Sequence, residues 1–199
     1  MAFTGAVVVM WNSLAAPGFL SRWRSCFTGL LLGWGLVLLA CPTSVLAADM
    51  AVVQAEKLLR VGQELAEKTH YLEALDLMEE ARLTLEAAQA TQTGLYGDTL
   101  FAIAETKIKG RLHQGFPAQY VKSALKEIRA ANKLREMLRD ILPQKLGEGY
   151  YLEGYVLKKF FLRNREAIVC FRKAVNTDPS NAAAKRELSE LIPAEEASK

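Results

Sequence analysis

The sequence predicts an all-α protein assembled from pairs of short amphipathic helices, and three observations predict it. Near the C-terminus, Ala167, Phe171 and Ala174 recur at i, i+4 and i+7 and so share one helix face. The aromatic segment Tyr150-Tyr151-Leu152-Glu153-Gly154-Tyr155 precedes them across the polar turn Arg163-Asn164-Arg165. The spacing of four and three returns at Ala74, Met78 and Ala81, and again at Ala124, Ile128 and Ala131. Stop signals separate these runs: Thr91-Gln92-Thr93-Gly94, Pro143 and Asp178-Pro179. At the last, the residue before proline avoids the helical region and proline cannot donate the next hydrogen bond.

Residues 1–48 read as a leader. Arg22 and Arg24 are its only charges, and an uncharged run from Cys26 to Ala48 follows them. A basic start, an apolar middle and the small-residue ending Val45-Leu46-Ala47-Ala48 describe a secretory signal cleaved after Ala47 or Ala48, with Met1 or Met10 as the start. Two other readings stay open. Leu38-Leu39-Ala40-Cys41 resembles a bacterial lipobox, which would make Cys41 a lipidation site. The run is also long enough to span a bilayer as an uncleaved anchor, with the arginines on the cytoplasmic side. Arg22-Trp23-Arg24 is not a twin arginine, which favours general secretion. All three readings place residues 49–199 outside the cytoplasm, periplasmic or tethered to a membrane and facing the periplasm.

The remaining chain divides into three helical pairs, about 50–90, 95–142 and 148–177, with a last helix over 181–192 and a polar, frayed tail over 193–199. Val53, Leu58, Leu59, Gly62 and Leu65 line the first helix, and Lys68-Thr69-His70 make the turn. Tyr71, Ala74, Leu75, Met78, Ala81 and Leu85 line the second, which continues through Glu86-Ala87-Ala88. Leu100, Ile103, Ala104, Lys107 and Ile108 give a third, ending near Gly110 or at Gln114-Gly115. Pro117 fits the first turn of a fourth, where its missing N–H leaves nothing unpaired, and Tyr120 through Leu138 and Ile141 carry that helix to Pro143. Ser180-Asn181 can cap the last helix, with Ala184, Leu188 and Leu191 on one side and Lys185, Arg186, Glu187 and Glu190 on the other.

Gly62, Ala74, Met78 and Ala81 are spaced by 12, 4 and 3, and Gly154, Ala167, Phe171 and Ala174 by 13, 4 and 3. With Pro179 behind the second set, this order resembles the tetratricopeptide repeat, an antiparallel helix pair of about 34 residues. The resemblance is clearest over 55–88 and 148–192; the extra residue in the later set predicts a lengthened turn around Leu162-Arg163-Asn164. It implies that the pairs stack as a short right-handed solenoid whose charged last helix closes the open end. It also implies that the first helix of each pair lines a concave groove for a peptide or partner helix. Counted from Gly62, the groove residues would be Glu56, Leu59, Gln63, Ala66 and Glu67. Counted from Gly154, they would be Tyr151, Tyr155, Lys158 and Lys159, with Leu152, Val156 and Phe160 replacing part of that set if the register slips.

Function classes narrow by subtraction. From Asp49 onward the 151 residues carry 23 basic and 22 acidic side chains, so the pI near 8.7 owes most to the leader and does not argue for nucleic acid. Cys26, Cys41 and Cys170 form neither a disulfide framework nor a metal signature, and Cys170 beside Phe171 reads as a buried structural thiol. No GxSxG, HExxH or phosphate-binding glycine loop is present, and His70 and His113 stand alone. The clusters Asp76, Glu79, Glu80 and Glu187, Glu190 read as solvated faces. So does the helix bearing Lys122, Lys126, Arg129, Lys133 and Arg139, interleaved with Glu127, Glu136 and Asp140 for i, i+4 pairs. The expectation is a non-catalytic interaction module of the bacterial envelope, without cofactor or metal. Its partner would be a protein or peptide, or a second copy of itself in a larger complex, with membrane contact only through the N-terminal segment.

Overall fold

The computed structural model describes residues 42–138 and 140–196, with side chains between Ala48 and Ile192. Those residues form seven α-helices and no strand: α1 Pro42–Glu67, α2 Tyr71–Ala87, α3 Gly94–Gln114, α4 Ala118–Met137, α5 Pro143–Phe161, α6 Asn164–Thr177 and α7 Ala182–Glu196. Short links make consecutive helices antiparallel neighbours, and α1 with α2, α3 with α4 and α5 with α6 form the most extensive contacts. The pairs join through α2–α3 and α4–α5, while α1, α3 and α5 touch one another only sparingly. The leader readings over residues 1–41, Cys41 among them, lie outside the described residues, as does Arg139. The cleavage position expected after Ala47 or Ala48 falls inside α1.

Two apolar clusters hold the stack. The first gathers Leu59, Tyr71, Ala74, Met78, Ala81 and Leu85 with Ala102, Ile103 and Phe116. The second gathers Ala104, Ile108, Ala124 and Ile128 with Val156, Leu157, Ala167, Phe171, Ala174 and Leu191. Helix α3 serves both, Ala102 and Ile103 in one and Ala104 and Ile108 in the other, so it is buried on most of its circumference. Burying a side chain the size of Phe171 or Leu85 contributes about 1.5–3 kcal/mol.

The repeated glycines matter through what faces them. A Cβ on Gly154 would lie 2.7 Å from the Phe171 ring, and one on Gly62 would lie 2.9 Å from Cγ of Met78. In the first and third pairs alike, a bare backbone on the first helix receives the large residue of the second, while Ala74 and Ala81, or Ala167 and Ala174, flank it fully buried.

Several boundaries differ from the sequence reading. Helix α4 stops at Met137 rather than reaching Pro143; Leu138 is extended, and Pro143 occupies the first turn of α5, which therefore begins before 148. Helix α2 ends at Ala87, where Gln89 turns left-handed with φ 57°. Helix α7 passes through Pro193 to Glu196 instead of fraying there. Asn181 caps it, its Oδ1 accepting from the Ala184 N–H at 2.9 Å. The extra residue between Gly154 and Ala167 enlarges no loop, since only Leu162 and Arg163 separate α5 from α6. It is absorbed in a wide last turn, in which the N–H groups of Leu162 and Arg163 both donate to the Leu157 carbonyl.

Candidate functional site

A groove of about 790 Å³ is lined by the first helix of every pair. Helix α1 contributes Val53, Glu56, Lys57, Leu59, Arg60 and Gln63; α3 contributes Leu95, Asp98, Phe101, Ala102 and Glu105; α5 contributes Lys145 and Glu148. These positions recur every three to four residues, so each helix presents a single face. Because α1 and α3 touch so little, their facing surfaces stay open to solvent, with Leu59 and Ala102 buried in the floor and Val53 exposed on the rim. A second hollow of about 270 Å³ shares Gln63, Ala102 and Glu105 and reaches Ala66 and Glu67.

One cation enters from outside this set. Arg135 belongs to the last turn of α4 and is only 3% exposed. Its Nη2 donates to Asp98 at 2.7 Å, its Nη1 donates to the Lys145 carbonyl at 2.9 Å, and its guanidinium lies 4.6 Å from the Phe101 ring centre. Lys145 Nζ reaches the other Asp98 oxygen at 2.6 Å, so two cations share one carboxylate at this corner. Arg135 Nε is buried without an acceptor among the described residues. The groove thus combines an apolar strip with charges of both signs fixed at one end.

The expected site residues separate into two groups. Glu56, Leu59 and Gln63 line the groove, and Ala66 and Glu67 line its extension. Tyr151, Tyr155, Lys158 and Lys159 line neither. Tyr151 packs on Phe171 and Tyr155, with ring centres 6.0 and 6.4 Å away, and burial together with Glu187 raises its pKa. Lys158 donates to Glu187 at 2.7 Å and to Glu190 at 3.1 Å, tying α5 to α7; these hydrogen bonds raise its pKa. Lys159 is exposed, and Val156, offered by the slipped register, is fully buried. The counting that gives Glu56 from Gly62 would also have given Glu148 from Gly154. The contribution of α3 has no such marker, because the second pair lacks the glycine.

Glu187 and Glu190 both hold Lys158, whereas in the first acidic cluster Glu79 is engaged and Asp76 and Glu80 are exposed. Glu79 accepts from Arg82 at 2.7 Å and from the buried Lys107 at 3.3 Å; burial raises its pKa, and these cations outweigh that to leave it lowered. Lys107 also meets Glu127 at 2.5 Å. On α4 the expected i, i+4 pairs give way to partners on other helices: Arg129 binds Glu153 of α5 at 2.8 Å, and Glu136 accepts from the Tyr150 hydroxyl. His113 stacks on Tyr71, with ring centres 6.1 Å apart. Cys170 is buried, and burial pushes its thiol up to about 12. No helix among the described residues is long and apolar enough to cross a membrane. Compared with protein-family models and with curated proteins, the chain matches none.

Proposed function

We propose that residues 49–192 form a non-catalytic interaction module of tetratricopeptide type, a short right-handed solenoid closed by α7. In this reading it holds a protein or peptide segment in the α1–α3–α5 groove and works in the bacterial envelope, exported or tethered through its N-terminus. The observation that carries the reading is the groove itself, since one face from each first helix converges on a shared hollow. The close approach of Gly62 to Met78 and of Gly154 to Phe171 supports the repeat assignment. An apolar strip beside fixed charges suits a segment that offers an apolar anchor and a polar flank.

The test is crosslinking and co-purification of the full-length chain from its native envelope, beside a Glu56→Arg/Arg60→Glu/Gln63→Ala variant. All three side chains are exposed, so the variant keeps its helical signal. One or a few envelope proteins are expected with the wild type and not with the variant. Equal recovery with both would sink the groove assignment, and recovery of the protein alone would replace a partner with self-assembly.

A further inference from the structure

The corner between α5 and α6 carries the most exposed large apolar residue among those described, Leu162, at 82% of its full accessible surface. Leu162 also has φ 56°, in the left-handed region, where a side chain is strained and Gly or Asn is the usual occupant. Among the described residues the other three positive-φ positions are filled by Thr69, Gln89 and Gly115, so of these turns this one alone presents a hydrocarbon side chain to solvent. Phe160 and Phe161 precede it half-buried, and the Arg163 guanidinium lies 5.9 Å from the Phe161 ring centre.

Charge surrounds this tip. Residues 158–173 contain six Lys and Arg against one acidic residue, Glu166. Lys158 is held by Glu187 and Glu190, and Glu166 lies 3.5 Å from Arg163 and 3.7 Å from Arg129. Lys159, Arg163, Arg165 and Arg172 are exposed, and on α6 the exposed Val169 lies between Arg165 and Arg172 at helical spacing, while Lys173 sits over the Tyr150 ring at 5.1 Å, away from the tip. None of these residues lines the α1–α3–α5 groove.

We infer that this corner docks on an anionic lipid surface, with Leu162 inserted among the acyl chains and the ring of cations against the headgroups. A lone apolar side chain protruding from a basic turn finds a ready environment in a fluid interface, whereas a protein partner would need a pocket shaped to it. Lys and Arg flanking aromatic and aliphatic residues is the composition that interfacial segments share, and anionic headgroups supply the complementary charge.

Hydrogen exchange on the full-length chain tests this, because it reads the corner separately from the leader. With phosphatidylglycerol–phosphatidylcholine vesicles, peptides covering 159–166 are expected to exchange at least threefold more slowly, and with phosphatidylcholine alone they are not. Leu162→Asn, which suits the left-handed backbone and keeps the fold, should abolish the protection, as should Arg163→Glu/Arg165→Glu. Unchanged exchange at 159–166 while the chain is vesicle-bound overturns the inference. So does protection that survives Leu162→Asn, or equal protection by soluble polyglutamate, either of which would mark an acidic protein surface instead.

Discussion

Arg135 and Asp98 meet at 2.7 Å across the α3–α4 pair, and the buried guanidinium owes its place at the groove to that carboxylate. Asp98 is itself 26% exposed and shared with Lys145, so the two cations do not depend on it equally. Removing the acid strands Arg135 in a site it cannot leave, whereas removing Lys145 strands nothing. Breaking a buried pair from one side costs about 3–5 kcal/mol, and a surface pair is worth under about 1 kcal/mol. Asp98→Asn is therefore expected to lower unfolding stability in urea by about 2–4 kcal/mol, reduced from the buried limit by the exposure of Asp98, and Lys145→Gln by less than about 1 kcal/mol. Equal losses would mean that Arg135 is not held as described.

The glycines give a graded series. Gly154→Ala drives a methyl into the Phe171 ring, which is fixed in the core, and overpacking of that kind costs about 1–3 kcal/mol. Gly62→Ala meets Cγ of the buried Met78 at 2.9 Å and the Ala74 carbonyl oxygen at 3.1 Å, so a loss in the same range is expected. Gly94→Ala finds nothing nearer than Ile141 at 3.7 Å and begins a helix, so it should be neutral or gain up to about 1 kcal/mol. Thermal melts of the three variants check the order, and a Gly154→Ala protein as stable as the wild type would contradict the packing.

This gradient also marks what was legible beforehand. The helices and their pairing followed from the four-and-three spacing, because that spacing encodes the buried face of each second helix. Their ends did not follow: Leu138 and Ile141 continue the apolar period beyond Met137, yet Pro143 at the start of α5 claims the intervening residues as a link. Half of the groove was legible from Gly62. The other half was not, since Phe101 and Asp98 lie in a pair without the glycine marker, and Arg135 reaches the groove only because α4 ends beside α5. Tyr151 and Lys158 lie outside the hollow because Tyr151 packs on Phe171 and the Glu187 and Glu190 carboxylates of α7, which the counting cannot see, capture the lysine.

Leu162 yields a stability prediction separate from its docking role. A left-handed backbone costs an L-residue roughly 1–2 kcal/mol, most of which Gly or Asn avoids. Leu162 buries almost nothing in return. Leu162→Gly should therefore raise the urea midpoint, corresponding to about 0.5–1 kcal/mol, while leaving the m-value unchanged. A loss of stability would show that the side chain packs in solution.

At high pH two buried groups act in the same direction. Burial pushes the Cys170 thiol up to about 12, and burial with the hydrogen bond to Glu136 raises the Tyr150 hydroxyl above its ordinary value. Each stays protonated in the folded protein after its unfolded counterpart has ionised, which begins near pH 8.5 for the thiol and near pH 10 for the phenol. The unfolded state then binds fewer protons than the native one, so stability falls as pH rises, by up to about 1.4 kcal/mol per pH unit for each group. The decline should begin near pH 9 and steepen beyond pH 10. Cys170→Ala should remove its first part, and Tyr150→Phe should reduce its second, to which the raised Tyr96, Tyr151 and Lys158 also contribute, whatever either substitution does to stability at pH 7. Urea titrations at half-unit steps from pH 7 to 11 measure this, and a Cys170→Ala protein that keeps the full slope between pH 9 and 10 would place the responsible group elsewhere.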